Sequence, residues 1–445
     1  MRKVLLALLA FLLTNGTTTA QKNLPLSVEK AIQLALDNSK SLHASLMRVN
    51  YADAKSSEVN ASRLPSVKFG GAYTRLSDVP PFAISLPASL APVFGVNSFT
   101  LAPTIANNYT IKATLEQPIF TGFRLGAAAN AAEYSARAAE QDHAKDKSEL
   151  IYNVKQAYWS LFKAMEFKKV VDENVEQVKA HLNDVQNLLD QGMATTNDLL
   201  KVQVQLSDAQ LRQIEMNNNV QLATIGLNNV IGIPLQTQLT LESDMNNATV
   251  AQPSDLNTLV EKATTQRSEL KAMEYRVKAA ESGITAAKGS WWPQVFLNAN
   301  YYYNRPNQRI QPMQDIFKDT WDVSIGVSLD IWNWGKTLHQ TDQASAQYEE
   351  AKDALDQLKD GIALETTQTY LNLNQSKERT AVADKGVKQA EENYRVTNRR
   401  FKEGLAQNSD LLDAEVALLQ AKTNYTQALV DYELAQARLQ KVLGE

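Results

Sequence analysis

Long stretches of helical periodicity dominate the pattern of apolar and polar positions. No proline occurs between Pro118 and Pro234 and none after Pro312, and proline is the residue that interrupts a helix most strongly. Apolar residues recur in the first stretch at spacings of 4, 3, 4, 3 and 4, namely at Val171, Val175, Val178, Leu182, Val185 and Leu189. This is the a/d seam of packed helices. The pattern predicts long helical hairpins over 126–230 and 336–443.

Four other segments alternate between apolar and polar residues, which is typical of strands. The predicted strands are 66–75, 108–117, 293–304 and 321–331. Each has about ten residues, the length that a tilted strand needs to cross a bilayer. Alternation alone would fit half-buried strands of a soluble sheet equally well.

Aromatic residues gather at the ends of the second strand pair. Trp291, Trp292, Trp332 and Trp334 lie where this pair meets helices, and Tyr301, Tyr302 and Tyr303 lie towards its other end. Trp and Tyr are enriched where strands cross membrane interfaces, so we interpret all seven as membrane-interface aromatics. Four strands cannot close a barrel, and open sheet edges are not tolerated in lipid. Several chains must then share one barrel.

The chain repeats itself with a constant offset. At a shift of 212 residues "PIFTGFR" at 118–124 lies over "DIWNWGK" at 330–336, and "QGMATTNDLL" lies over "EGLAQNSDLL". We therefore divide the chain into a first repeat, 21–245, and a second repeat, 246–445. Each begins with a helix, 26–62 and 255–288, followed by its two strands and its long hairpin. The predicted fold is mainly α with a small β part.

The N-terminal segment 1–20 has the parts of a secretory signal peptide. Arg2 and Lys3 precede an apolar core of about ten residues, and small residues lead to Gln21. The core is too short to span a bilayer as a helix, so we favour a cleaved signal over a buried N-terminal helix. No later apolar run approaches the 18 residues of a transmembrane helix. The mature chain would then enter a membrane only as strands.

Composition excludes several classes of function. Without Arg2 and Lys3 the chain has 43 basic and 49 acidic residues, which argues against nucleic acid as a partner. It has no cysteine for disulfides or thiolate metal sites. The histidines His43, His143, His181 and His339 are isolated and interpreted as solvated. No phosphate loop or nucleophile elbow occurs, so we predict no catalytic residue, no cofactor and no metal site.

The signal peptide, the duplicated unit and "EGLAQNSDLLDAEVAL" after the second long helix together resemble the TolC-like outer membrane efflux proteins, of the type without a lipid. The resemblance implies a homotrimer with a shared transmembrane β-barrel, continuous with a coiled-coil tunnel through the periplasm of a Gram-negative-type cell. It also implies outer membrane lipid, a periplasmic adaptor (membrane fusion) protein and an inner membrane transporter of RND, ABC or MFS type as partners. The expected function is efflux or type I secretion through a passive channel that is not an enzyme.

The resemblance assigns roles to the turns of the two long hairpins. Asp410 and Asp413 match the aspartate rings of the family's periplasmic aperture; alternatively, they are an N-cap and a first-turn acid. Gly192, Asp198, Lys201, Phe401 and Gly404 are expected to serve tip closure and adaptor contact. Phe401 and Ala406 replace the tyrosine and arginine with which the family holds the tip shut, so a Lys201–Asp413 pair is a candidate substitute.

Two other classes of function stay open at this point. One is a periplasmic coiled-coil adaptor or scaffold, which would lack lipid-facing strands. The other is a glycan-binding or glycan-acting protein that stacks sugars on the aromatic cluster, with Asp322 and Asp330 as weak carboxylate candidates. A trimer that only detergent extracts from the outer membrane would exclude both.

Overall fold

The computed structural model describes residues 24–77, 80–102, 104–242 and 255–444. The predicted signal peptide, 1–20, and the predicted repeat boundary at 245–246 lie outside these ranges. The predicted fold class, mainly α with a small β part, is confirmed. Among the described residues, no helix has the length and apolar character needed to cross a membrane.

Helices account for most of the described chain. They are α1 Val28–Asn38, α2 Lys40–Ala61, α3 Ala91–Phe94, α4 Arg124–Asp190, α5 Thr196–Ile231, α6 Leu256–Gln266, α7 Ser268–Lys288, α8 Lys336–Lys402 and α9 Asn408–Val442. The strands are β1 Leu24–Leu26, β2 Ser66–Arg75, β3 Phe82–Ser85, β4 Ser98–Ala102, β5 Asn107–Thr121, β6 Leu239–Leu241, β7 Gln294–Arg305 and β8 Lys318–Ser328.

The chain forms two compact units, and each draws on both predicted repeats. The first unit comprises Met1–Met47, Gln141–Lys271 and Gln357–Glu445, and the second comprises Arg48–Glu140 and Ala272–Asp356. Within the second unit β2, β5, β7 and β8 form one antiparallel sheet in that order. Strands β3 and β4 form a separate antiparallel pair.

The first unit contains the main apolar core. Leu26 of β1, Tyr158 and Leu161 of α4, and Leu227 and Ile231 of α5 are all buried in it. The parallel pair β1–β6 lies beside this core, and the Tyr158 hydroxyl donates to the Leu26 carbonyl oxygen at 3.0 Å. A buried phenol needs such a partner, so this bond helps to fix the strand against α4.

The hairpins agree with the apolar periodicity. Helices α4 and α5 form the first, and α8 and α9 form the second. Four of the six predicted seam residues, Val171, Val175, Val178 and Val185, are at most 8% exposed, and the other two, Leu182 and Leu189, are half-buried. The heptad spacing keeps one stripe of α4 against its neighbours.

Two predicted helices are broken in the structure. Residues 26–62 hold β1, α1 and α2, because Ser39 is extended (φ −68°, ψ 112°) and Asn38 Nδ2 donates to the Ile231 carbonyl oxygen at 3.3 Å. Residues 255–288 hold α6 and α7, separated by an extended Arg267 that forms ion pairs with Glu269 and Glu365. In both places contacts distant in sequence override helix propensity.

One strand of each predicted pair departs from its predicted bounds. Strand β8 runs over Lys318–Ser328 where 321–331 was predicted, because it follows its register with β7 from Asn304↔Lys318 to Gln294↔Ser328. Strand β5 continues to Thr121, past the predicted end at 117, and also pairs with β7. The ends of these strands are therefore set by pairing with the neighbouring strand, which the alternation of apolar and polar residues does not indicate.

Candidate functional site: the strand sheet and the hairpin turns

The four-stranded sheet has one apolar face. Directly paired residues lie on the same face of a sheet, and the register aligns Val67, Phe69, Ile111, Leu115, Leu297, Ala299, Val323, Ile325 and Val327 on one side. Phe69 is 78% exposed and Ile325 is 70% exposed. An exposed apolar face of this extent is typical of a surface that another apolar phase covers.

The opposite face is polar and carries a ladder of hydrogen bonds. Thr114 Oγ1 donates to Asn300 Oδ1 at 3.0 Å, and Asn300 Nδ2 donates to Asp322 Oδ1 at 2.8 Å. Lys68 and Glu116 form an ion pair at 3.4 Å on the same face. Asp322, considered above as a glycan-site carboxylate, therefore has a structural role in this ladder. In a membrane barrel around an aqueous lumen, apolar side chains face outward and polar side chains face the lumen in the same alternation.

The four tryptophans lie at one end of β7 and β8. Trp291 and Trp292 directly precede β7, and Trp332 and Trp334 follow β8, whose last residue pairs with the first residue of β7. All four are more than half exposed. Trp332 and Trp334 contact each other with ring centroids 5.7 Å apart.

Two consecutive left-handed residues connect strand to helix at this end in each repeat. Gly122 and Phe123 have φ of 62° and 67°, and Trp334 and Gly335, 212 residues further on, have φ of 56° and 77°. Positive φ is strained for a bulky residue. A Cβ on Gly122 would also lie 2.1 Å from the Gly289 carbonyl oxygen, so glycine is required there.

The tyrosines at the other end divide between the two faces. Tyr301 and Tyr303 lie on the apolar face, where Tyr303 stacks on Phe317 with centroids 5.0 Å apart. Tyr302 lies on the polar face, under Lys112 at 5.2 Å and Arg309 at 4.4 Å from its ring centroid. The grouping of Tyr302 with the interface aromatics is therefore corrected, because successive strand residues point to opposite faces.

Arg309 belongs to the β7–β8 loop and was missed by the sequence analysis. Its Nη2 is 2.7 Å from Asp322 Oδ2, and its guanidinium covers the Tyr302 ring. Loop residues carry no periodicity that would identify such a contact. The loop is thus fixed to the polar face of the sheet.

The hairpin turns, 192–198 and 404–410, share one geometry. Gly192 and Gly404 both have φ of 72°. The Gly192 and Met193 N–H groups donate to the Leu189 and Leu188 carbonyl oxygens, and the second turn has the same pair of bonds. This Schellman motif ends a helix and favours glycine at the left-handed position. Both predicted turn glycines therefore have a structural reason.

An aspartate stabilises the start of the helix after each turn. Asp198 Oδ2 accepts the Thr195 N–H at 3.1 Å and the Thr195 hydroxyl at 2.6 Å. The hydroxyl bond above all, then the backbone bond, lowers the pKa of Asp198 below its ordinary value, and the charge of Lys201 adds to this. Asp410 Oδ2 accepts the Gln407 N–H at 3.1 Å. The N-cap of α9 is therefore Gln407. The alternative that Asp410 is the N-cap is wrong, because Asp410 is the third residue of the helix and bonds back to the cap.

Asp410, Asp413 and Lys201 are exposed at the starts of α9 and α5. Asp413 lies about one helical turn after Asp410, so the two carboxylates lie on the same face of α9. Among the described residues no ion pair joins Lys201 to Asp413 within the chain. The predicted substitute latch is thus not formed in a single copy.

The two turns are nevertheless connected. Asn408 Nδ2 donates to the Asp198 carbonyl oxygen at 3.2 Å. Phe401 is 6% exposed and packs with Val178, Val185, Val202 and Leu411 in an apolar cluster beneath the turns. An open cleft lies between the turns, with Met193, Asp198, Lys201, Gly404, Gln407 and Asn408 among its lining residues.

His181 is buried in this region, contrary to its interpretation as solvated. Its side chain is 2% exposed and that of Glu415 is 1% exposed. His181 Nδ1 is 3.4 Å from Glu415 Oε2 in a hydrogen bond and 3.3 Å from Oε1. Burial, and the charges of Glu415 and Asp184, raise the pKa of neighbouring Tyr394. Within the described residues no cluster of His, Asp and Glu suited to a metal ion occurs.

The comparisons with known proteins match most of the chain. A family model described as "Outer membrane efflux protein" matches residues 31–233 and 259–445. Outer membrane protein TolC of Vibrio cholerae is 22% identical over 314 residues, which cover 70% of this chain and 72% of that protein. Alkaline protease secretion protein AprF of Pseudomonas aeruginosa is 22% identical over 344 residues, covering 76% and 70%.

Solved structures show the same fold. The outer membrane protein VceC of Vibrio cholerae has a TM-score of 0.77 at 17% identity, with 94% of this chain and 96% of that chain covered. At this level of identity the likeness concerns the fold alone.

Proposed function

Because the chain belongs to the outer membrane efflux protein family, we propose that three copies form a channel-tunnel whose periplasmic tip, made of the hairpin turns, can close. The chain is an outer membrane channel for efflux or type I secretion, with a periplasmic tunnel. Its family is one of transport components, not of enzymes. The observation that carries the proposal is the exposed apolar face of a four-stranded sheet.

The edges of this sheet support assembly from several copies. Strands β2 and β8 are the outer strands of the sheet, and each has one side without a strand partner among the described residues. Unpaired backbone groups are too costly in hydrocarbon for such edges to face lipid. Joining β8 of one copy to β2 of the next satisfies both edges, and three copies give a closed barrel of twelve strands.

An apolar stripe on α5 supports the same assembly in the periplasmic part. Leu200, Val204, Leu211, Ile214, Leu222 and Ile225 are between 43% and 65% exposed, and their spacing places them on one helix face. A stripe of this length on a water-facing helix indicates a partner. We assign it to a neighbouring copy of the chain.

At the tip, three copies would bring six carboxylates of Asp410 and Asp413 to one aperture. Converging carboxylates concentrate negative potential and favour cations. Their capping position and an aperture role are compatible, because Asp410 uses one oxygen for the Gln407 N–H and Asp413 remains exposed. We propose that this ring makes the channel cation-selective when the tip is narrow.

The cleft between the hairpin turns is the proposed contact for a periplasmic adaptor. It is lined by predicted tip residues from both hairpins, including Asp198, Lys201, Phe401 and Gly404. The adaptor would connect the channel to an inner membrane transporter, which supplies the energy. Relatives are named for alkaline protease secretion, for toxin and drug export and for toluene efflux, so we propose that the docked transporter determines the cargo.

The proposal is tested by fractionation and by gene deletion. The protein should be extracted from the outer membrane only by detergent and should migrate as a trimer that heating dissociates. Deletion should increase sensitivity to at least one compound in a panel of drugs and metals, or abolish secretion of a protein, and the wild-type gene should restore it. A water-soluble monomer after signal cleavage would refute the proposal.

A further inference from the structure

One buried polar pair connects the two long hairpins beside the tip. His181 lies on α4 and Glu415 lies on α9, and both side chains are almost completely enclosed. The imidazole Nδ1 faces the carboxylate, with 3.4 Å to Oε2 in a hydrogen bond. One hydrogen bond between the ring nitrogen and the carboxyl group therefore joins α4 to α9.

The surroundings of this pair are apolar. The Phe401 ring contacts the His181 ring edge-on, with centroids 5.2 Å apart, and Val178, Val185 and Leu411 are buried nearby. Contacts among such apolar side chains are not directional. A hydrogen bond between α4 and α9, in contrast, is satisfied in one register only, and fixing register is the best-attested role of buried polar pairs.

Other ion pairs between the same hairpins are exposed. Lys402 and Asp184 are 3.2 Å apart and Lys422 and Glu173 are 2.8 Å apart, with side chains from 26% to 58% exposed. Solvent and salt weaken pairs of this kind. His181–Glu415 is thus distinguished from them by its burial. Tyr394, whose pKa is raised by burial and by the charges of Glu415 and Asp184, is a further titratable group beside it.

We propose that the His181–Glu415 pair is a buried bond that, together with the Asn408–Asp198 bond, holds the first hairpin to the second beside the tip, so that separating the two hairpins to open the channel requires breaking it. This inference rests on the proposed function, because it needs a tip that opens. It gives the pair a role in gating that differs from the aperture charges of Asp410 and Asp413. His181 and Glu415 are positioning residues, since they act through the placement of the helices.

The first test removes the charge while keeping the shape. In planar lipid bilayers, Glu415→Gln, which leaves at most a neutral hydrogen bond to His181, should raise the population of the open state by roughly fivefold, as expected when a charge-assisted hydrogen bond becomes a neutral one. The matched control is Lys422→Gln, which removes an exposed pair between the same hairpins and should leave conductance unchanged. Unchanged conductance of an assembled Glu415→Gln trimer would overturn the proposal.

A second variant covers the case in which Glu415→Gln does not assemble. His181→Leu with Glu415→Leu replaces the pair by apolar side chains, which cores tolerate well, and should assemble with raised conductance. Failure of this double variant to assemble would also overturn the proposal, because a bond that only gates the tip is not needed for assembly. Wild-type protein that shows no conductance at all would instead refute the proposed function.

A crosslink shows whether the hairpins must separate. The chain has no cysteine, so Asp184→Cys with Lys402→Cys, the positions of an exposed pair between α4 and α8, can be joined by a short, cleavable thiol crosslinker. In the Glu415→Gln background the crosslinked channel should return to low conductance and cleavage should raise it again. High conductance that persists after complete crosslinking would contradict a gating role through hairpin separation.

Discussion

Val323 and Ser324 are neighbours on β8 that should respond oppositely to the same substitution. Val323 is the sixth of the eleven residues of β8, pairs with Ala299 on the apolar face and is 59% exposed. Ser324 pairs with Asn298 on the polar face. If the apolar face contacts lipid, Val323→Arg places a charge near the bilayer midplane, whereas Ser324→Arg places it towards an aqueous lumen.

The expected magnitude follows from the position on the strand. An arginine on the lipid face at the midplane costs about 2–4 kcal/mol, so three copies would cost roughly 6–12 kcal/mol per trimer. The lumen substitution should cost little by comparison. The assay is folding of the purified chain into lipid vesicles over a denaturant series, with the heat-dissociable trimer read by gel migration.

Val323→Arg should shift the folding midpoint strongly or abolish insertion, and Ser324→Arg should fold like the wild type. The pair is its own matched control, since both variants introduce one arginine at adjacent positions. Equal insertion of the two variants would refute the assignment of the apolar face to lipid. Poorer insertion of Ser324→Arg than of Val323→Arg would mean that the apolar face lines the lumen.

Three further predictions concern the helical part. Asp410→Asn with Asp413→Asn should abolish block of the channel by multivalent cations while leaving the trimer intact, because an asparagine oxygen still accepts the Gln407 N–H; bilayer conductance with added cations measures it. Leu211→Glu should reduce trimer yield, since it places a charge in the α5 stripe that we assign to a neighbouring copy. Asp198→Asn should remove the acid sensitivity of the first turn. The pKa of the Asp198 carboxyl group is lower in the folded chain than in the unfolded chain, where it is about 3.9. Its stabilisation of the turn is therefore fully present above about pH 3.9 and is lost as the pH falls through the folded pKa. Amide hydrogen exchange around Thr195 at pH values down to about 2 measures this change.

Each of these predictions has an outcome that contradicts it. Persistent cation block in the double asparagine variant would remove the aspartates from the aperture. Gln210→Glu is the control for the stripe, because Gln210 is exposed on a different face of α5; equal loss of trimer in both variants would point to a nonspecific effect. The same acid sensitivity in Asp198→Asn as in wild type would mean that another group controls the turn.

The long hairpins and the four strands were predictable because each has an uninterrupted period over many residues. Val171, Val175, Val178 and Val185 indicate their own burial through spacing alone. The breaks at Ser39 and Arg267 were not predictable in this way. Asn38 bonds a carbonyl 193 residues further along the chain, and Arg267 pairs with Glu365, so the local sequence does not contain the cause.

The buried pair beside the tip was missed for a different reason. Asn174, Val178, His181 and Val185 are spaced 4, 3 and 4 and are all at most 4% exposed, so they form a second buried stripe that shares Val178 and Val185 with the predicted seam. Two of the four are polar, and a search for apolar residues passes over them. Treating a polar residue at seam spacing as a candidate for burial would have identified His181.

The central claim is that copies of this chain assemble into an outer membrane channel, and single-channel recording tests it most directly. Detergent-extracted trimer added to a planar lipid bilayer should give discrete, reproducible conductance steps of one size class. The same preparation dissociated by heating should give none. Trimer that inserts into the bilayer without any conductance step, under every voltage and salt condition tried, would contradict the account.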